Sequence, residues 1–240
     1  MRPDELKKLH QKKYRDQFGY YLVEGEHLVL ELQKAAAKNL RLKDVKVYVT
    51  QEREQWRTPF EKHVLSNRHM EQIAETQTPQ GIVALVPMLP PAPPQSGERA
   101  IYLYEIQDPG NLGTILRTLA WFGNFRCLLS PGSVDPFNSK VLRASAGAIF
   151  HVPVEVDVAL SVLRARFERI AALDMHGEPI HTGEFAQSRC FVFGNEARGI
   201  PREELAQLGA QSWTIAGSGA IESLNVAAAV NMCAYEINRH

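Results

Sequence analysis

Cys190-Phe191-Val192-Phe193-Gly194-Asn195-Glu196-Ala197-Arg198-Gly199-Ile200-Pro201 shows the unit from which this chain is built. A short apolar run empties into a polar loop bracketed by glycines, and a proline suited to opening a helix follows. The same arrangement occurs twice more. Ile101-Tyr102-Leu103-Tyr104 runs toward Asp108-Pro109-Gly110-Asn111-Leu112-Gly113-Thr114-Ile115-Leu116-Arg117. Ser212-Trp213-Thr214-Ile215 runs into Ala216-Gly217-Ser218-Gly219-Ala220-Ile221-Glu222-Ser223-Leu224-Asn225-Val226. Further strand-like runs lie at Phe125–Leu129, Phe150–Val154 and Ile170–Leu173, with helical patterns between them. Strand–helix alternation predicts an α/β fold with a mainly parallel sheet and helices on both faces. Polar loops at the carboxyl ends of adjacent strands are where such a sheet builds a site.

Upstream, the composition breaks sharply at Pro87-Met88-Leu89-Pro90-Pro91-Ala92-Pro93-Pro94-Gln95-Ser96-Gly97. Closely spaced prolines disallow helix and ladder and favour an extended spacer. A linker is expected over 87–97, between a small α/β domain at 1–86 and a larger domain at 98–240. In the small domain a polar helix is expected over Leu6–Gln17, a strand and turn at Tyr20–Gly25, and a helix over Glu26–Ala37. A strand at Val45–Val49, a helix at Met70–Glu75 and a buried strand at Gly81–Val86 complete it.

The chain of 240 residues is 45% apolar and 22% charged, ordinary values for a globular protein. No apolar run approaches the roughly 18 residues of a membrane helix, and Met1–Lys8 lacks the apolar core of a secretory signal. Cys127, Cys190 and Cys233 are scattered, which argues against a disulfide framework or a zinc site, and no metal is expected. A cytoplasmic protein fits these features. Lys+Arg and Asp+Glu balance at 27 each, so any nucleic-acid contact must come from a local patch. One candidate is Lys7, Lys8, Lys12, Lys13 and Arg15, which reads equally as an RNA-contacting face or a solvated helix face.

Within the three segments, Asn111 is expected to cap a helix running to Phe122, with Arg117 about one and a half turns along it. Arg117 can grip a phosphate through two parallel hydrogen bonds, or be an ordinary surface arginine. Gly194 admits close backbone approach, and Glu196 falls at a strand's carboxyl end. Ser223 is expected to cap the last helix, with Asn225 in its first turn. Gly217-Ser218-Gly219 before a helix suggests a dinucleotide loop, but the third glycine and a following strand–helix unit are missing, so a nucleotide-dependent oxidoreductase is a weak reading.

In their fixed order the three segments resemble the motifs of the SpoU (TrmH-like) branch of the SPOUT RNA methyltransferases. The resemblance covers roughly Glu98 to His240. It implies a C-terminal trefoil knot, a homodimer whose sites borrow residues from the partner, and S-adenosylmethionine as cofactor. It also implies a ribose 2′-hydroxyl of RNA as acceptor. Carried over position by position, it assigns catalytic roles to Asn111, Arg117, Glu196, Ser223 and Asn225. Cofactor contacts fall on Phe193, Gly194, Asn195, Gly199, Ile215, Ala216 and Leu224. Ala216-Gly217 stands where many members carry Pro-Met. Arg117 is expected to clamp a phosphate and stabilise oxyanion charge, because guanidinium stays protonated and is a poor base. The first domain resembles, over Tyr21–Glu26, the RNA-binding substrate domain of many SpoU enzymes. RNA contacts are therefore expected from Lys7, Lys8, Lys12, Lys13 and Arg15, with Lys140 and Arg143 near the site. The additional domain points to ribosomal ahead of transfer RNA. A non-catalytic RNA-binding or ribosome-assembly protein on the same scaffold is the alternative.

Overall fold

The computed structural model describes residues 1–221 and 223–239. The chain divides into two compact units, Met1–Pro90 with Asp135–His151, and Pro91–Val134 with Val152–His240.

The first unit opens with helices α1 (Pro3–Lys8) and α2 (Lys12–Phe18), then strand β1 (Tyr20–Glu24) and helix α3 (Glu26–Ala36). Strands β2 (Lys46–Thr50) and β3 (Glu61–Leu65), helix α4 (Asn67–Ile73) and strand β4 (Ile82–Pro87) follow. The sheet order is β1-β4-β2-β3, with β4 antiparallel to both neighbours and β2 parallel to β3. Leu6, Leu9, Leu22, Tyr48, Met70, Ile73, Val83 and Leu85 form its core. The expected Leu6–Gln17 helix is broken between Lys8 and Lys12. Arg15 explains the break. Its guanidinium turns inward, donates to the Leu9 and His10 carbonyls at 2.8 and 2.9 Å, and pairs with the Asp135 carboxylate. Carbonyls freed by a helix end need donors, and a buried charge needs a partner; one side chain meets both needs. Strand β3 escapes the sequence pattern because it is a charged, largely exposed edge strand with little apolar alternation.

The second unit contributes strand β5 (Arg99–Leu103), helix α5 (Pro109–Phe122) and strand β6 (Phe125–Leu129). The chain then enters the first unit as helix α6 (Ser139–Ser145) and a 3₁₀ turn at Ala148–Phe150. That excursion is fixed by the Arg15–Asp135 pair and by Tyr21 against Phe137, with ring centroids 4.7 Å apart. Back in the second unit come strand β7 (Val154–Glu155), helix α7 (Leu163–Arg166), strands β8 (Ile170–Pro179) and β9 (Cys190–Phe193), helix α8 (Arg202–Leu208), strand β10 (Gln211–Thr214) and helix α9 (Val226–Asn238). The expected strand over 150–154 shrinks to the two residues of β7, because its first residue closes the 3₁₀ turn.

The six-stranded sheet has the order β10-β8-β9-β5-β6-β7, and every neighbouring pair is parallel. Strands β5, β9 and β6 are buried on both faces, which is why they read as unbroken apolar runs. Cys127 and Cys190 lie in these strands and Cys233 in α9, all buried, and burial pushes the Cys127 thiol up to about 12. Among the described residues no helix is long and apolar enough to cross a membrane.

Candidate active site

The carboxyl ends of β5 and β9 and the start of α9 meet at one cleft of about 540 Å³. Its wall begins at α5. Asp108 is the N-cap, its Oδ1 accepting from the Asn111 amide at 2.7 Å, and Pro109 occupies the first helical position. Asn111 is therefore not the cap that the sequence suggests; it lies in the first turn with its side chain released. That side chain works in both directions. Asn111 Nδ2 donates to Glu196 Oε1 at 3.2 Å, and Asn111 Oδ1 accepts from Asn225 Nδ2 at 2.9 Å. Asn225 Oδ1 in turn accepts from the Ala227 and Ala228 amides at 2.9 and 3.2 Å. Asn225, rather than Ser223, thus caps α9. One unbroken chain, Glu196–Asn111–Asn225, joins the three segments that are far apart in sequence. Ser223 and Leu224 complete the cleft wall, both exposed.

The loop after β9 is held from within. Asn195 is 7% exposed. Its Nδ2 donates to the Glu105 carbonyl at 2.8 Å, and its Oδ1 accepts from the Ala197 and Arg198 amides at 3.0 and 3.1 Å. Asn195 and Gly199 also exchange backbone hydrogen bonds at 3.1 and 2.9 Å. A Cβ on Gly194 would sit 2.7 Å from the Gly199 Cα. The close approach that Gly194 permits is thus to Gly199, the residue that closes its own loop. Phe193 is buried in β9, its carbonyl accepting from the Tyr104 amide at 2.9 Å. The Tyr104 hydroxyl donates to Glu204 Oε1 at 3.1 Å; burial first, and then that bond, raise its pKa above the ordinary phenol value.

Other expected site residues fall elsewhere. Ile215 is half-buried and Ala216 and Gly199 are exposed; none of the three lines the cleft. Arg117 is exposed on α5 and does not line it either. Lys7, Lys8, Lys12 and Lys13 are exposed on α1 and α2, with the Lys8 and Lys13 ammonium groups 5.6 and 5.7 Å from the Tyr14 ring centroid. Arg15 departs from expectation, because the guanidinium that bridges the helix break is 4% exposed and faces away from solvent. Lys140 and Arg143 stand on α6 in the first unit rather than on the sheet that carries the cleft, and Arg143 lies 3.6 Å from Glu75. Sequence reasoning missed Gln107, Asp108, Ala197 and Val226 in the cleft wall. Asp108 carried a usable signal, an aspartate directly before a proline and a helical pattern.

A parallel sheet with its cleft assembled from three glycine-punctuated loops defines a class, and comparison with known proteins agrees. Residues 98–235 match the SpoU rRNA Methylase family, and residues 4–84 match the MRM3-like substrate binding domain. The chain belongs to the SpoU family of RNA methyltransferases. Among its relatives is the 23S rRNA (guanosine(2553)-2'-O)-methyltransferase RlmP of Bacillus subtilis, 32% identical over 239 residues, covering 97% of this chain and 94% of that protein. An uncharacterized tRNA/rRNA methyltransferase of Synechocystis sp. is 33% identical over 98% of this chain and 89% of its own length. A TrmH-family structure from Porphyromonas gingivalis superposes with a TM-score of 0.84 at 29% identity, covering 99% of this chain and 96% of that one. The AdoMet-bound rRNA methyltransferase of Sinorhizobium meliloti superposes at 0.81 and 27% identity, over 99% and 94% of the two chains.

Proposed function

We propose that this chain methylates a ribose 2′-hydroxyl of ribosomal RNA, with S-adenosylmethionine as methyl donor. The observation that carries the reading is the Glu196–Asn111–Asn225 chain, which gathers the three segments at one open cleft. The cleft volume of about 540 Å³ lies in the usual range for a small-molecule site. Leu224 and Ala197 offer an apolar wall, and Asn111, Glu196 and Ser223 a polar one, which suits a ligand with both an adenine ring and a charged amino-acid end. When bound, S-adenosylmethionine supplies an activated methyl group, so the protein's task is to align an oxygen with it.

Asn111 is the residue best prepared for alignment. Its amide is held at both ends, by Glu196 and by Asn225, and so loses little freedom when a ribose replaces one of those partners. Phe193, Gly194, Asn195, Gly199, Ile215 and Ala216 act through the backbone shape of the cofactor loops. Arg117 clamps a phosphate of the RNA and steadies charge on the attacking oxygen. Lys7, Lys8, Lys12 and Lys13 on the first unit supply phosphate contacts, and Lys140 and Arg143 add to that unit's basic surface. Chemistry belongs to the second domain and RNA presentation to the first, and the protein works in the cytoplasm.

The active form is a homodimer. Trp121 on α5 is 85% exposed, and Tyr235 and Met232 on α9 are 59% and 45% exposed. The two helices are joined by the Thr118–Asn231 side-chain bond, so these side chains stand on one connected helical pair. Large apolar groups grouped on a surface mark an interaction site. Arg117 is one turn from Trp121, so a second copy covering Trp121 meets Arg117 as well. Mixing Asn111→Ala with Arg117→Ala protein checks this: shared sites restore activity in the mixture, and self-contained sites leave it dead.

Calorimetric titration with S-adenosylmethionine tests cofactor use. Saturable binding is expected, and Ala197→Trp, which fills the cleft from an exposed position, abolishes it. Equal binding by the variant would place the cofactor elsewhere.

A further inference from the structure

Four non-glycine residues among those described take a positive φ, namely Glu105, Asn124, Ala146 and Asp157. Asn and Asp accept that conformation at low cost through local hydrogen bonds, whereas Glu has no such help. Glu105, at φ 48°, directly follows the β5 strand end and Tyr104, beside the cleft. A strained residue persists where its surroundings over-determine it. The surroundings here are specific. The Glu105 amide donates to Ser130 Oγ at 2.7 Å, on the loop after β6. Its carbonyl accepts from Asn195 Nδ2 at 2.8 Å and from Gln107 Nε2 at 3.0 Å. Its carboxylate accepts from the Arg198 guanidinium at 2.7 Å. Glu105 therefore ties the loops that leave β5, β6 and β9, and none of its bonds is to Glu196 or Asn111 themselves.

We propose that Glu105 is a positioning residue: through Asn195 and Arg198 it sets the loop that carries Glu196, and so the geometry at which Glu196 meets Asn111. The backbone twist at Glu105 aims its carbonyl at Asn195 Nδ2, and Asn195 Oδ1 gathers the Ala197 and Arg198 amides that directly follow Glu196 in the turn. The Glu105–Arg198 ion pair closes the same loop from outside. Arg198 is 75% exposed, so this clasp is screened by salt, unlike the buried Asn195 contacts. The inference rests on the cleft being the cofactor site, and it predicts cofactor affinity that weakens as salt loosens the clasp.

Glu105→Gly is the informative variant, because glycine keeps the left-handed backbone while removing the carboxylate. It is expected to leave the melting temperature within a few degrees of wild type while weakening S-adenosylmethionine binding about fivefold, the reach of one exposed ion pair. Arg198→Ala should match it, and the double variant should be no worse than either. The charge exchange Glu105→Arg with Arg198→Glu should restore affinity, which a merely structural role for Glu105 does not predict. Raising salt should weaken binding by the wild type and leave Glu105→Gly unchanged. Amide hydrogen exchange at Ala197 and Arg198, followed without cofactor, should quicken in Glu105→Gly. Wild-type affinity in Glu105→Gly, additive losses in the double variant, or unchanged exchange at those amides would each overturn the proposal. If the wild type binds no cofactor, the functional reading fails on its own, and the exchange contrast still decides whether Glu105 sets the loop.

Discussion

The two ends of the parallel sheet treat polar side chains in opposite ways. At the amino end Arg126 is 3% exposed, and its guanidinium is shared between Glu98 Oε2 at 2.8 Å, the Glu155 carboxylate and the Ala92 carbonyl at 3.0 Å. Glu155 is gripped again by Arg166 at 2.8 Å. This cluster is closed around a buried guanidinium, and it ties the chain at Ala92 and β7 to β6. At the carboxyl end Glu196 and Asn225 are exposed, Asn111 is half-buried, and their amides and carboxylate are joined in an open chain beside a cleft. A buried closed network is costly to break and offers nothing to a ligand. An open, pre-aligned one contributes little stability and leaves bonding capacity for a substrate. Stability at one end and function at the other is the division expected of α/β sheets.

The heaviest loss should come from the closed end. Arg126→Ala leaves the shielded Glu98 without its cation and Glu155 with Arg166 alone, and should destabilise by about 3 kcal/mol, which for a chain of this size is a loss of roughly 10 °C in melting temperature. Methylation per folded molecule should be retained, as seen by comparing thermal melts with rates normalised to folded protein. The reverse holds at the open end. Asn111→Ala should lower kcat about a hundredfold, as for loss of one well-placed transition-state contact, with little change in melting temperature. A large melting shift there would collapse the distinction between the two ends.

Asp108→Ala probes the border between the two roles. It removes the α5 cap and should cost about 1 kcal/mol, with a smaller loss of rate than Asn111→Ala. The subtlest test is acid titration. Burial raises the pKa of Glu155, but the hydrogen bonds from Arg166 and Arg126 outweigh it, so the carboxyl sits below its usual value. A folded pKa below the unfolded one means that the stabilisation is in place above a pH of about 4.5 and is lost as pH falls through the folded value. Melting temperatures of wild type and Glu155→Gln should therefore be well separated above about pH 4.5 and draw together as the pH falls through the lowered folded value.

Much of this was legible in the chain. The runs at Ile101–Tyr104, Phe125–Leu129 and Cys190–Phe193 mark central strands because burial on both faces leaves no polar alternation. Their order and punctuation placed Asn111, Glu196 and Asn225 at one end of the sheet. The caps were misassigned by a few residues, since Asp108 and Asn111, or Ser223 and Asn225, are chemically equivalent as caps, and only the backbone turn chooses between them. Arg15 reads as one more surface cation, because the carbonyls it satisfies exist only once the helix breaks. The excursion Asp135–His151 is silent for a similar reason: its partners, Arg15 and Tyr21, lie more than a hundred residues away. Glu105 carries no signal at all, since its meaning is a backbone angle.

The cleft's proposed activity is delivery of methyl groups to ribose in ribosomal RNA. It is met most directly by incubating the purified protein with isotopically labelled S-adenosylmethionine and ribosomal RNA from cells lacking it, then resolving the nucleosides by mass spectrometry. Label is expected in a 2′-O-methylnucleoside and is absent with Asn111→Ala. Label in a base-methylated nucleoside, or equal labelling by the Asn111→Ala protein, would contradict it.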